Sequence, residues 1–113
     1  MNPASNLREG CLYVTTADRP YGIVKILKIE DGVVHVTLYK NKYSEMPEKI
    51  DPASLTLGTL ADLQGEDGFG VAHLPLRTQT WLGWSPEFLQ LSQVEPEELE
   101  GYRLWKESSG GAW

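Results

Sequence analysis

Hydrophobic and polar positions alternate most clearly in the first forty residues. Residues 21–29 and 33–39 are rich in β-branched side chains, with Glu30-Asp31-Gly32 between them. Asp-Gly suits a two-residue turn whose positions both take positive φ, so the two runs are predicted to form a hairpin. A turn there sets Ile29 opposite Val34, Leu27 opposite Val36 and Lys25 opposite Leu38. One face is then strongly apolar. Lys28 with His35, Ile26 with Thr37 and Val24 with Tyr39 give the other face a mixed character. Residues 11–16 alternate well enough to pair with this hairpin, and Asp18-Arg19-Pro20 supplies the turn between.

Beyond Tyr39 the pattern is punctuated. Residues 41–47 read as a loop, Asp51-Pro52 as a turn, and 54–57 as a short strand ended by Gly58. A glycine-rich loop at 65–68 leads to a strand over 69–74. Thr78 is placed to cap a short helix running to Trp84, its hydroxyl reaching a free amide of the first turn. Residues 88–94 alternate in part and read as a strand. The last helix, 96–107, is the best marked. Pro96 suits its first position, and Glu97, Glu98 and Glu100 favour the positive end of its dipole. Val94 and Leu99 are spaced to staple its start. Leu99, Tyr102 and Trp105 recur at steps of three, a stripe expected to lie on an apolar sheet face. Gly110-Gly111 is expected to let the Trp113 ring turn back onto that helix. The outline is one α+β domain over 1–113. It has a small curled antiparallel sheet, for which an SH3- or Tudor-like barrel is one form, a short helix and a C-terminal helix.

Charge changes this picture. Ten basic and 16 acidic residues among 113 give a net charge of −6. Residues 1–60 balance at seven of each sign, so the whole excess lies in 61–113. That argues against a phosphate-backbone binder, and the asymmetry marks either a face for a protein partner with a basic surface or acidic loops that keep a small protein in solution. The one cysteine, Cys11, has no internal disulfide partner, and no apolar run approaches the roughly 18 residues of a membrane span. The first residues carry neither a basic start nor an apolar run, so no signal peptide is expected. A cytoplasmic protein with no membrane contact is the expectation, and a homodimer is compatible with it.

Chemistry is sparse. One cysteine and two histidines, His35 and His73, cannot supply a Cys-x-x-Cys or His-x-x-x-His metal site. Asp62, Glu66 and Asp67 lack the spacing of a calcium loop. Gly65, Gly68 and Gly70 do not follow the dinucleotide-binding spacing and enclose two acids, so no cofactor is expected. Cys11 could meet His73 in three dimensions, but no local signature supports a nucleophile, and no catalytic residue is assigned. His73 ends a strand, where it could bond to backbone or face a cleft. The aromatic surplus is more informative. Trp81 and Trp105 suit the core, while Trp84 and Trp113 are candidate partner contacts. Tyr39 and Tyr43, with Tyr13 and Tyr21, are candidates for an aromatic surface, because Tyr13 and Tyr39 are expected to share one face of the sheet. A second minor core is the competing reading of these tyrosines.

Two stretches carry a resemblance. Residues 38–43 (LYKNKY) lead to 50–58 (IDPASLTLG), and 98–105 reads ELEGYRLW, with His73-Leu74-Pro75-Leu76 between. With these, the chain resembles a family of small uncharacterised bacterial cytosolic proteins, which implies no activity. In size and charge it is also similar to toxin-immunity proteins. Together these readings point to a non-catalytic protein-interaction module, an acidic immunity-type inhibitor of a basic protein in its most concrete form. The alternative is a small-molecule binder or enzyme with a cleft near His73 and the loop from Gly65 to Gly70. Candidate contacts are Tyr39, Tyr43, His73, Trp84 and Trp113.

Overall fold

A computed structural model describes residues 8–57, 70–108 and 110–113. Five strands form one antiparallel sheet: β1 (Leu12–Thr15), β2 (Tyr21–Glu30), β3 (Val33–Tyr43), β4 (Val71–Arg77) and β5 (Pro86–Gln90). Their order is β4-β3-β2-β1-β5. The two ends of that order do not pair, so the sheet is open and the barrel form is not realised. Helix α1 (Thr78–Gly83) links the two edge strands, and α2 (Glu100–Glu107) follows a 3-10 turn at Pro96–Leu99. The fold is α+β. The loop expected at 65–68, the acids Asp62, Glu66 and Asp67, and Phe69 lie outside the described residues.

The hairpin turn forms as its residues dictate, with φ of 52° at Asp31 and 77° at Gly32. Ile29 then pairs with Val34, and Lys28 with His35. Past this point the register departs from simple alternation. A bulge between Ile26 and Lys28 leaves Leu27 as an extra residue, so Ile26 pairs with Val36, Lys25 with Thr37 and Val24 with Leu38. The expected pairings of Leu27 with Val36, Lys25 with Leu38, Ile26 with Thr37 and Val24 with Tyr39 are thereby corrected. The physical reason is plain: the slip moves Lys25 away from the apolar set and brings Ile26 and Val24 into it.

Each face of the sheet now has its own core. On one, Cys11, Tyr13, Val24, Ile26, Val34, Val36 and Leu76 surround Trp81 from α1, with Trp84 packed at the edge. On the other, Leu12, Val14 and Ile23 meet Ile50, with Tyr21, Tyr39, Tyr43, Leu55 and Leu89 around them. Tyr13 and Tyr39 therefore lie on opposite faces, contrary to expectation. The tyrosines 21, 39 and 43 belong to a second core.

Three local expectations also change. Residues 54–57 are not a strand. Pro52–Ser54 is a 3-10 turn capped by Asp51, whose carboxylate accepts from the Ala53 amide, and Lys40 donates its amide to Thr56. Thr78 is the first residue of α1 instead of its cap, and its hydroxyl donates to the Gly32 carbonyl at 2.9 Å, tying the helix to the hairpin turn. The strand expected at 88–94 runs earlier, over Pro86–Gln90, because β1 offers its edge there.

Candidate functional site

The segment before α2 begins with Glu95, whose amide donates to Glu98 Oε1 at 2.8 Å, and Pro96 fills the first position. Glu98 also meets Lys25 Nζ at 3.0 Å. Lys25 is the side chain that the bulge turned to this face, and it is only 7% exposed. One ion pair thus anchors the start of α2 over β2. The other end is held by Glu30, which accepts from the Tyr102 hydroxyl and from Lys106 Nζ at 3.0 Å. These bonds keep the Glu30 carboxyl below its ordinary range and hold the Lys106 ammonium above its own.

Between these anchors α2 rests on two histidines. His35 Nδ1 and His73 Nε2 lie 2.9 Å apart, with the rings 13° from parallel. Tyr102 and Trp105 meet His35 edge to face, at centroid distances of 4.8 and 4.5 Å. His35 is fully buried, and burial, reinforced by the neighbouring His73, holds its imidazole down at about 4. Burial lowers His73 as well. The pair is therefore neutral near pH 7.

Beside this seat runs a cleft of about 400 Å³. Thr37, Tyr39, Ala72 and His73 contribute from β3 and β4, and Glu97, Glu98, Glu100, Gly101 and Leu104 from the turn and α2. Glu97, Glu100 and Leu104 are exposed at its mouth. Neither Glu97 nor Glu100 makes an ion pair with another described residue. Tyr39 is half-buried, and burial with the charge of Glu98 pushes its phenol up to about 12, so it stays a neutral ring and donor.

Of the residues singled out in the sequence, the structure brings Tyr39 and His73 together here. Tyr43 sits at the Tyr21 end of β3, and Trp84 packs against Trp81 across the sheet. Trp113 returns by its backbone, not its ring: its amide donates to the Pro75 carbonyl at 2.9 Å and its main-chain oxygen accepts from Thr80 Oγ1 at 2.7 Å. The indole is 72% exposed, so the expected docking of the ring on α2 is corrected. Gly111 instead supplies the carbonyl that Trp105 Nε1 bonds at 2.8 Å. Cys11 lies in the core on the face opposite the cleft, so it does not meet His73. Among the described residues no cluster of three or more His, Cys, Asp or Glu could hold a metal ion, and no helix is long and apolar enough to cross a membrane.

Sequence reading missed the partnership of His35 with His73, because it depends on how β4 registers against β3, 38 positions away. It also missed Gly101 and Leu104 as cleft residues. The one available signal was that Gly101 interrupts an otherwise strong helical stretch, which is costly unless something must approach closely. No family model, curated protein or solved structure matches the chain.

Proposed function

We propose that this chain is a non-catalytic cytoplasmic binding protein for a partner with a basic surface, and that the cleft under α2 receives a Lys or Arg side chain of that partner. One observation carries the reading: the carboxylates of Glu97 and Glu100, with no ion-pair partner among the described residues, stand at the mouth of a cleft lined by Leu104, Leu57 and the Tyr39 ring. A long cationic side chain has the matching form, an aliphatic stem that buries and a charged head that stays at the wet rim. A tyrosine face adds attraction for the cation. The acidic excess of the second half of the chain favours encounter with a basic surface from longer range. An immunity-type inhibitor is the concrete form of such a protein.

Calorimetric titration with a short Lys- and Arg-containing peptide tests this. Binding is expected to weaken with added salt, and the paired change Glu97→Gln with Glu100→Gln is expected to reduce affinity about five- to tenfold. Equal binding of an acidic peptide, or an unaffected double variant, overturns the reading. If free arginine binds as well as the peptide, the cleft is a small-cation pocket and the protein partner is lost from the account.

A further inference from the structure

The contact that seats α2 is built around two groups that titrate. His35, with no exposed surface, is covered by Tyr102 and Trp105, and Gly101 closes on His73. With both rings neutral, one N–H fills the 2.9 Å gap between them and no charge is buried. His35 Nε2 has no hydrogen-bond partner among the described residues. A cation formed on this ring would thus carry a second N–H, buried under Tyr102 and Trp105, with no acceptor for it among the described residues. Lifting α2 rehydrates both imidazoles.

We propose that the His35–His73 pair is a pH-sensitive latch on α2, and through α2 on the cleft: proton uptake by the pair releases the helix. The charged and titratable groups around the pair are Lys25, Lys28 and Glu30 from β2, Glu97 and Glu98 from the turn, and Glu100, Tyr102 and Lys106 from α2. Of these, Glu30 favours charge on His35, but burial and His73 oppose it more strongly. Glu30 itself is held below the usual carboxylate range, so it stays ionised while the histidines titrate and the pH dependence of release is theirs. In the released helix the imidazoles return toward about 6.5. The closed form therefore binds fewer protons than the open one, and the latch is complete above that value and weakens as pH falls. Through His35 alone, release becomes about tenfold more favourable for each pH unit between 6.5 and 4. As regulation of the cleft this rests on the reading above; as a movement of α2 it stands on the packing alone.

With two histidines in the chain, both imidazoles can be followed by NMR from pH 7.5 to 4.5, alongside amide-exchange protection of residues 100–107 and of β1 and β2. Protection of α2 is expected to fall about tenfold per pH unit below 6.5 while β1 and β2 hold, and His35→Phe should flatten that slope. Constant protection of α2 while the imidazoles take up protons overturns the proposal. So does loss of α2 and the central strands in one transition. Should His35→Phe fail to fold, the slope in the unaltered protein decides. Titration with the basic peptide at pH 7.5 separates the two ideas: no binding there removes the reading of the cleft, and the latch is still judged by α2 exchange.

Discussion

Gly101 lies so close to His73 that a β-carbon at position 101 would stand 2.5 Å from the histidine Cβ. Helix α2 can approach β4 only because that side chain is missing. Gly101→Ala should gain up to about 1 kcal/mol of helix propensity and lose about 1–3 kcal/mol to overpacking. The clash wins, because the atom met is the rigid base of a side chain on a strand. Urea denaturation should show a net loss of about 1–2 kcal/mol. A variant more stable than the parent would mean that α2 is not seated as described.

The Lys25–Glu98 pair should respond asymmetrically. Glu98→Ala leaves a buried ammonium without its carboxylate and is expected to cost about 2–3 kcal/mol. Lys25→Met keeps the stem, removes the buried charge, and leaves Glu98 with access to water. Its cost should stay within about 1 kcal/mol. Equal losses from the two variants would show that the pair is not buried in solution.

Stability should depend on pH through His35. Its folded value of about 4 lies below the unfolded value near 6.5, so the neutral form is the one that the fold favours. The contribution is fully present above pH 6.5 and is lost as pH falls toward 4. At most this is roughly 3 kcal/mol, less whatever solvent screens. Denaturation midpoints at pH 7 and 5, compared with those of His35→Phe, check both the sign and the window.

The two C-terminal tryptophans should behave oppositely. Trp105 is half-buried against His35 and bonds Gly111, so Trp105→Ala should cost about 2–3 kcal/mol, below the 3–5 of a fully buried ring. Trp113→Ala keeps the main-chain bonds and removes an exposed indole. Its melting temperature should stay within a few degrees of the parent, since surface changes are usually worth under about 0.5 kcal/mol.

What the sequence made legible was local. The Asp31-Gly32 turn and the Pro96 helix start each rest on neighbouring residues, and each is present. Of the expected stripe, Tyr102 and Trp105 do meet the sheet, but on the histidine rings and not on an apolar face, which is corrected here. The register beyond Leu27 was hidden, because a bulge leaves no mark except that simple alternation would place Lys25 among valines and leucines. Residues 54–57 look like a strand by composition, but the Thr56 amide bonds the Asn41 side chain where a ladder would need a β3 carbonyl. His73 and Tyr39 could be named as candidates from their surroundings. Their meeting under Glu97 and Glu100 could not, because it depends on where α2 crosses the sheet.

The extra residue at Leu27 acts as a phase shift. On one side of it, β2 counts its faces from the hairpin turn; on the other, it counts from the pairing with β1. Pairing Leu27 with Val36 in plain alternation, without the bulge, would transpose two surfaces: Lys25 would enter the core around Trp81, and Ile26 and Val24 would turn toward α2. Glu98 would then lose its cation and α2 its anchor. The cleft is in this sense written one strand away, at a position of β2 that is not among its lining residues.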